Sequence, residues 1–279
     1  MSVDCVIWLD GEPTTNLPLP DRGLNFGDGL FETLLLKRGR PLFVEQHLQR
    51  LRLGLAVLAL PDCLLTARRH LESAATAVGN KGWNWAVLRL TITRGAGPRG
   101  YAPPDQPTVR ILVEASKLDR NCSQMSTPAG LCVAEIRLSS QPFLAGIKHL
   151  NRLEQVLAAA EGRAKGADEC VVLDQYEHVI SVVAGNLFVV RGGELVTPKL
   201  IECGVEGTRR RLIIDNWGPS IGLEVREATL GLTDLDDAEE VFYSNSLLGV
   251  RPVATLGERS WDSHRVCSAL FQRILEEVT

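Results

Sequence analysis

Strand-like and helix-like segments alternate along the chain, and none of them is repeated. The strand-like segments are short and are bounded by turn residues, as hairpins require. The helix-like segments carry apolar residues three and four positions apart. A doubly wound parallel sheet would need strict strand–helix–strand alternation, which this chain lacks. The pattern therefore predicts an α+β or α/β fold that combines hairpins with packed helices.

The same periodicities place the individual elements. Strands are predicted at 3–9, 31–37, 41–44, 85–94, 109–114, 131–138, 170–173, 179–183 and 187–190. Helices are predicted around the leucines at 48, 51, 55 and 58, and at 64–78, 151–165, 208–217 and 262–278. A Gly/Pro-rich loop at 95–107 separates two of the strands, and a loop of this length is often functional.

The length of 279 residues is typical of about two domains. Residues 115–128 have low hydrophobicity and several turn residues, which is typical of a domain boundary. We therefore expect a smaller N-terminal α/β domain at 1–118 and a larger C-terminal domain at 119–279.

The charge of the chain is nearly balanced. The 34 acidic and 30 basic residues give a net charge of -4, without a long run of either sign. Nucleic acids and anionic membranes bind strongly basic surfaces, so the balance argues against both and favours a small-molecule partner. The N-terminal segment contains the acidic Asp4 and only a short apolar run, so we expect neither a signal peptide nor a membrane span.

The seven cysteines are scattered, and no two have the spacing C-x-x-C. This usage argues against disulfides and structural zinc, and it predicts a reducing, cytoplasmic location. The five histidines show no H-x-x-x-H or H-E-x-x-H spacing. We therefore predict no metal site.

Two glycine motifs match known patterns in the wrong structural context. Residues 95–100 (GAGPRG) match G-x-G-x-x-G, but the prolines that follow exclude the helix that a dinucleotide site needs. Residues 218–222 (GPSIG) match G-x-S-x-G, but they follow a helix instead of leading from a strand into one. The sequence predicts neither dinucleotide binding nor serine hydrolase chemistry.

Lys148 is the lysine whose surroundings favour a catalytic role. It lies in the apolar segment 143–150 (FLAGIKHL), just before a predicted helix. Burial lowers the pKa of an amine and supplies the neutral form that Schiff-base chemistry requires. A surface lysine with a buried aliphatic stem would fit the same segment, so other residues must decide.

Three further segments have the chemistry to bind a phosphate. Residues 204–210 (GVEGTRR) place Thr208 at an apparent helix start, where backbone N–H groups favour an anion. Residues 244–246 (SNS) end a strand in small polar side chains. Arg50 lies on a predicted helix and could donate charge-assisted hydrogen bonds. Taken singly, these are also a helix cap, a turn and a solvated arginine.

Together these segments resemble the fold-type IV pyridoxal-phosphate enzymes, which include branched-chain aminotransferases, D-amino-acid aminotransferases and aminodeoxychorismate lyases. The resemblance covers nearly the whole chain. It is carried by 21–32 (DRGLNFGDGLFE), 47–51 (HLQRL), 148–152 (KHLNR), 186–188 (NLF) and 207–209 (GTR), in family order. It implies two α/β domains with the cofactor, pyridoxal 5'-phosphate (PLP), between them. It also implies a homodimer in which the partner chain helps to close the site.

The resemblance also implies roles for single residues. Lys148 would be the Schiff-base lysine, carried by the C-terminal domain. Glu32 would lie near this lysine as a proton-relay group. The phosphate would be bound by Arg50, by Ser246 and by the backbone amides of Thr208 and Arg209.

Within the family, residues 148–155 (KHLNRLEQ) and 94–101 (RGAGPRGY) are most similar to aminodeoxychorismate lyase, which releases 4-aminobenzoate and pyruvate in folate synthesis. D-Amino-acid aminotransferases have a histidine in place of Tyr101, paired with the arginine that matches Arg99. The resemblance implies that Arg99, Tyr101 and Asn151 bind the substrate, with Arg99 on a carboxylate.

One position departs from the family pattern. Most members have a glutamate five residues before the asparagine of N-L-F, where it pairs with the pyridine nitrogen, and this chain has Ser181. A hydroxyl leaves the ring a weaker electron sink than a carboxylate does. Transamination depends on that sink, whereas formation of an aromatic product also drives the lyase reaction. Ser181 at the cofactor therefore favours the lyase, with Glu177 as an alternative partner of the nitrogen.

The sequence thus predicts a PLP-dependent lyase that acts on 4-amino-4-deoxychorismate. Two alternatives stay open. One is an aminotransferase for D- or branched-chain amino acids. The other is a degenerate homologue that binds the cofactor and has neither activity.

Overall fold

The computed structural model describes residues 5–278 and divides the chain into two compact units. The first unit extends to Asn121 and also includes Ile147–Asn151. The second unit comprises Cys122–Gly146 and the chain from Arg152 onward. Lys148, which the sequence analysis assigned to the C-terminal domain, belongs to the first unit. The first residues of the strand predicted at 3–9 lie outside the described residues.

The first unit contains an antiparallel sheet. Its strands are β1 (Cys5–Leu9), β2 (Glu12–Pro13), β3 (Gly29–Lys37), β4 (Arg40–Pro41), β5 (Trp85–Thr93) and β6 (Arg110–Lys117). They follow the order β2-β1-β6-β5-β3-β4. The helices of this unit are α1 (Arg22–Phe26), α2 (Val44–Val57) and α3 (Leu64–Gly79).

The apolar face of this sheet packs on α2 and α3. Leu34 and Leu36 of β3 lie on it, next to Leu88 and Leu90 of β5, and all four are fully buried. Burial of each such side chain contributes about 1.5–3 kcal/mol. Successive side chains of a strand point to opposite faces, so β3 also presents Glu32 to the helices.

The second unit contains a mixed sheet. Its strands are β7 (Ala129–Leu138), β8 (Glu169–Asp174), β9 (Val179–Val182), β10 (Asn186–Arg191), β11 (Glu194–Pro198), β12 (Val225–Ala228), β13 (Glu240–Asn245), β14 (Gly249–Leu256) and β15 (Arg259–Ser260). They follow the order β12-β11-β10-β13-β14-β7-β8-β9, and β15 pairs with β14. The helices are α4 (Leu153–Ala164), α5 (Thr208–Leu212), α6 (Gly218–Ser220), α7 (Leu232–Asp236) and α8 (Arg265–Val278).

Two predicted helices begin later in the structure than in the sequence analysis. The helix predicted at 151–165 begins at Leu153, because Asn151 instead donates a hydrogen bond from its side chain to the Gly27 carbonyl. The helix predicted at 262–278 begins at Arg265, where a buried glutamate accepts from the first turn.

Two other helical segments also differ from the predicted pattern. The α-helix predicted at 208–217 ends at Leu212, and a π-helical turn, Ile213–Trp217, continues it. Helix α1 was not predicted, because five residues are too few to show a period. Asp21 caps its start by accepting from the Leu24 N–H, and Gly27 ends it in the left-handed region with φ 65°.

Among residues 5–278, no helix combines the length and the apolar character needed to cross a bilayer.

The buried carboxylate of Glu240 caps the C-terminal helix. It accepts hydrogen bonds from the backbone N–H groups of Val266 (3.0 Å) and Cys267 (2.7 Å). These groups have no partner within the helix, and a negative charge near a helix start is favourable. We expect Glu240→Ala to lower the free energy of unfolding by about 2–4 kcal/mol, measured by urea denaturation. Glu258→Ala, at an exposed turn, is the control and should change it by less than about 0.5 kcal/mol. Equal effects of the two variants would contradict the capping role.

Candidate active site

The segment Ile147–Asn151 is hydrogen-bonded to the start of β3. The Phe31 N–H donates to the Lys148 carbonyl (2.9 Å), and the Leu150 N–H donates to the Gly29 carbonyl (3.0 Å). A Cβ at residue 29 would lie 2.2 Å from the Ile92 carbonyl oxygen and 2.8 Å from the Leu150 side chain. Glycine is therefore required where the segment meets the sheet, and this pairing places Lys148 in the first unit.

The Lys148 side chain lies over an aromatic ring. Its Nζ is 4.3 Å from the centroid of Phe31, and the residue is half-buried. Because side chains of a strand alternate, Phe31 points away from the α2 face that holds Glu32. The structure thus gives the predicted Schiff-base lysine an aromatic neighbour on the face of β3 opposite the helices.

Arg89 is a further candidate that the sequence analysis missed. Its guanidinium carbon lies 4.1 Å from the same Phe31 centroid. The side chain is half-buried, and this burial lowers the pKa of Arg89, against the opposing effect of Glu114. The Arg89 side chain forms no hydrogen bond and no salt bridge with any of the described residues. A half-buried guanidinium in this state has the chemistry to bind a carboxylate.

The sequence contained a signal for Arg89. A charged residue stands in the middle of the apolar strand segment 87–90 (VLRL). In the sheet, Arg89 is opposite Thr33, and Thr91 is opposite Phe31, so Arg89 and Phe31 share one face. Strand alternation alone could not reveal this neighbourhood, because it depends on the register between β3 and β5.

Glu32 has a different environment from Lys148. Its buried carboxylate accepts from Arg50 Nε (2.8 Å) and a second Arg50 nitrogen (2.5 Å), and it lies 2.6 Å from His47 Nδ1. Burial alone would raise the pKa of Glu32, but the charge and hydrogen bonds of Arg50 and His47 outweigh it and lower the pKa to about 2. Such a carboxylate is suited to orienting Arg50, and it is a poor proton carrier near neutral pH.

The predicted substrate residues of the first unit are exposed. Arg99 and Tyr101 lie in the loop between β5 and β6, and 85% of the Tyr101 surface is accessible. Asn151 is also exposed, and its side chain donates to the Gly27 carbonyl at the end of α1 (3.1 Å). All three are therefore open to a ligand or to a second chain.

In the second unit, the structure brings two predicted phosphate segments together. Thr208 and Arg209 form the buried first turn of α5, and a terminal nitrogen of Arg209 donates to the Ser246 carbonyl (3.2 Å). The Asn186 side chain donates to the Val205 carbonyl (2.9 Å) and holds the turn before α5. A Cβ at Gly207 would lie 2.0 Å from Asn186 Oδ1, so this close approach requires glycine.

The two candidates for the pyridine partner have different surroundings. Ser181 is half-buried in β9, opposite Val172 of β8. Glu177 is exposed, and its two carboxylate oxygens accept from Arg137 at 2.7 and 2.8 Å. The hydrogen bond from Arg137 lowers the pKa of Glu177. Glu177 is therefore already paired with Arg137, which argues against it as a substitute for Ser181 at the pyridine nitrogen.

The family model for amino-transferase class IV matches residues 29–256, which is most of the chain. The chain belongs to this family. Membership confirms the fold-type IV resemblance and the two-domain α+β fold class predicted from the sequence. It also confirms PLP as the cofactor.

Individual members of the family show which activities the relatives have. Aminodeoxychorismate lyase of Vibrio harveyi is 36% identical over 269 residues, covering 89% of this chain and 90% of the relative. The crystal structure of 4-amino-4-deoxychorismate lyase from Pseudomonas aeruginosa superposes with a TM-score of 0.88 at 38% identity, over 97% of this chain and 98% of that one. D-Alanine aminotransferase of Listeria monocytogenes is 29% identical over 268 residues, covering 94% of this chain and 90% of the relative.

The residues present fit PLP. Its aldehyde needs a primary amine in a partly desolvated setting, which Lys148 over Phe31 supplies. Its phosphate needs backbone N–H donors at a helix start, which the first turn of α5 has. Gly207, just before this turn, has no side chain that could accept hydrogen bonds from these N–H groups. Both requirements are met by residues named from the sequence.

The Glu32 network predicts a pH-dependent contribution to stability. The folded-state pKa of about 2 lies below the ordinary value of 4.5, so this contribution is complete above pH 4.5 and is lost as the pH falls towards 2. The shift corresponds to about 3 kcal/mol. We expect the difference in unfolding free energy between the wild type and Glu32→Gln to shrink below pH 4.5, measured by urea denaturation.

Glu45→Gln is the control for this prediction, because Glu45 forms an exposed pair with Arg68. Exposed pairs contribute about 0–1 kcal/mol. A Glu32→Gln difference that is the same at pH 7 and pH 3 would contradict the ionised network.

Proposed function

We propose that this protein is a PLP-dependent lyase that converts 4-amino-4-deoxychorismate into 4-aminobenzoate and pyruvate, a step of folate synthesis. The proposal rests on one observation above all. The chain is 36–38% identical to two lyases of this specificity over nearly its whole length, and it is 29% identical to the D-alanine aminotransferase. Ser181 and Tyr101 agree with this preference.

When bound, PLP withdraws electrons from the carbon that carries the substrate amine. In this proposal the amine of Lys148 would hold the cofactor. The side chains of Arg50 and Ser246 and the backbone amides of Thr208 and Arg209 hold the phosphate, and Ser181 contacts the pyridine nitrogen. Glu32 and His47 hold the Arg50 guanidinium in a fixed orientation, which the short contacts within this network support.

The proton transfer is assigned to Lys148. Its amine takes the proton from the carbon that bears the substrate nitrogen. The bond between the ring and the enolpyruvyl oxygen then breaks, and the ring becomes aromatic. The enolpyruvate that leaves takes up a proton and becomes pyruvate, so the reaction needs no water and no oxidant. Glu32 has a low pKa and lies on the face of β3 opposite Phe31 and Lys148, so it is assigned to orienting Arg50 and not to the proton relay implied by the resemblance.

The substrate is a dicarboxylate, and arginines are suited to bind it. Arg89 lies against the Phe31 ring, which Lys148 also contacts, and this shared ring supports a contact of Arg89 with one of the carboxylates. Arg99 is assigned to a carboxylate, and Tyr101 and Asn151 to further substrate contacts. Because Arg99 and Tyr101 are exposed in the single chain, we assign them to the site of a partner subunit in a homodimer.

The cellular location is part of the proposal. The buried Cys63, Cys170, Cys203 and Cys267 form no disulfide. Unpaired buried thiols are typical of a reducing compartment, so we place the protein in the cytoplasm.

An aminotransferase is the second candidate, because the D-alanine aminotransferase of Listeria monocytogenes covers 94% of this chain. Ser181 argues against it, because transamination requires the stronger electron sink. A third candidate is a PLP-binding homologue with neither activity.

A product assay distinguishes these candidates. The wild-type protein with PLP should release equal amounts of 4-aminobenzoate and pyruvate from aminodeoxychorismate, with little amino transfer from D-alanine or a branched-chain amino acid to a 2-oxo acid. Lys148→Ala should lower the release of 4-aminobenzoate by at least about a thousandfold, because both the attachment point and the base are lost.

Lys165→Ala is the matched control for Lys148→Ala, because Lys165 is exposed and pairs with Glu135. It should keep wild-type activity. Amino transfer that exceeds lyase turnover would refute the proposed function, and so would bound PLP without either product.

The substrate role of Arg89 has its own test. Arg89→Met should raise KM for aminodeoxychorismate about tenfold or more and change kcat less, because one charge-assisted hydrogen bond contributes about 1.5–3 kcal/mol. Arg89→Lys should have a KM between those of the wild type and Arg89→Met. Arg226→Met, which removes an exposed guanidinium near Glu194, is the control. An unchanged KM in Arg89→Met would remove Arg89 from the site.

The proposed homodimer is tested by light scattering coupled to size-exclusion chromatography. We expect a mass of twice the chain mass of 30.5 kDa at micromolar concentration. Exposed apolar side chains of the first unit, Leu17, Leu19 and Leu24, support burial against a second chain. A monomer at all concentrations would refute the dimer and the role of Arg99 in a partner's site.

A further inference from the structure

The loop between β5 and β6 is built around one buried arginine. Arg22 is only 4% exposed, and its guanidinium donates to three consecutive carbonyls of the loop. These are the carbonyls of Gly100 (3.1 Å), Tyr101 (2.7 Å) and Ala102 (3.3 Å). No helix or strand supports the loop at these residues, so the guanidinium supplies the hydrogen-bond donors that secondary structure would otherwise provide.

The glycines of the G-x-G-x-x-G motif fit this arrangement. A Cβ at Gly95 would lie 2.0 Å from the Thr108 carbonyl oxygen, and one at Gly97 would lie 2.8 Å from Arg22 Cδ. Gly100 has φ 94°, a conformation that other residues rarely adopt. The motif that failed as a dinucleotide site therefore lets the loop pass closely around Arg22.

Arg22 is itself held in place. Its Nε donates to Asp28 Oδ2 (2.8 Å), and its backbone N–H donates to the Gly95 carbonyl (2.8 Å). The same Asp28 oxygen accepts from Arg94 Nε (2.8 Å). Burial opposes the charge of Asp28, but the hydrogen bonds from Arg94 and Arg22 outweigh it and lower the pKa of Asp28. The loop is thus tied to a fixed charge at the start of β3.

Aromatic contacts complete the arrangement. The Arg22 guanidinium lies 4.9 Å from the centroid of the Phe26 ring, and the Tyr101 ring lies 5.4 Å from the same ring. Residues of α1 therefore contact both the backbone and the side chain of Tyr101, while most of the phenol surface stays exposed.

We propose that Arg22 is a positioning residue for substrate binding: by holding the carbonyls of Gly100–Ala102, it keeps Arg99 and Tyr101 in the conformation that binds the substrate. The inference rests on the proposed function, which assigns Arg99 and Tyr101 to the substrate. A loop that is in its binding conformation for only a fraction of the time has an apparent affinity reduced by that fraction. The planar guanidinium reaches three carbonyls and Asp28 together, which the ammonium of a lysine cannot do.

The test compares Arg22→Ala and Arg22→Lys with Arg110→Ala. Arg110 is a matched control, because it donates to the carbonyls of Pro18 and Pro20 and to Asp21, but not to the loop carbonyls that Arg22 binds. Two quantities are measured for each variant with PLP bound. One is KM and kcat for aminodeoxychorismate. The other is the rate of tryptic cleavage after Arg99 under native conditions, relative to cleavage after the exposed Arg38.

We expect Arg22→Ala to raise KM about tenfold or more, with kcat within about threefold of wild type. Cleavage after Arg99 should accelerate by a similar factor, because proteolysis follows the population of the open loop, and cleavage after Arg38 should not change. Arg22→Lys should be intermediate, and Arg110→Ala should resemble the wild type in both measurements.

The positioning role is overturned if Arg22→Ala leaves cleavage after Arg99 unchanged, if cleavage accelerates while KM stays the same, or if Arg110→Ala has equal effects. Failure of the proposed function looks different, because the wild type itself then releases no 4-aminobenzoate. If the wild type instead transfers an amino group, the effect of Arg22→Ala on KM for the amino donor tests the role of Arg22. If it turns over neither substrate, both proposals fail.

Discussion

The pairing of Ile147–Asn151 with the start of β3 is the interaction on which the rest of the candidate site depends. Two backbone hydrogen bonds, at Phe31 and Leu150, fasten this short segment to the first unit. They are possible because Gly29 has no side chain between the segment and β5. The pairing places Lys148 over the Phe31 ring, which Arg89 also contacts. This strand contact thus brings the proposed Schiff-base amine to an aromatic surface, and the register of β3 against β5 brings Arg89 to the same ring.

Buried charge in the first unit is arranged to orient arginines. Isolated buried charges are unstable, and they persist where good geometry pairs them. Glu32 and His47 fix Arg50 on the helix side of β3, and Asp28 fixes Arg22 at the start of the strand. In each case the carboxylate accepts hydrogen bonds from the guanidinium that it orients.

The sequence predicts the features that depend on local pattern, and it fails where distant segments meet. Strand alternation and helical spacing placed most elements, and ordered motifs identified the family. Arg89 was missed because only the register of β3 against β5 brings it to Phe31. The G-x-G-x-x-G motif was correctly separated from dinucleotide binding, but its role around Arg22 depends on a residue about eighty positions away. The assignment of Lys148 to the C-terminal domain followed its position in the chain, whereas the hydrogen bonds to β3 place it in the first unit.

In the proposed function, Lys148 is the residue that carries the cofactor. The chain has six lysines, so borohydride reduction of the PLP-loaded protein followed by peptide mass mapping can test it directly. We expect a single reduced cofactor adduct on the peptide that contains Lys148. An adduct on another lysine, or no adduct at saturating PLP, would contradict it.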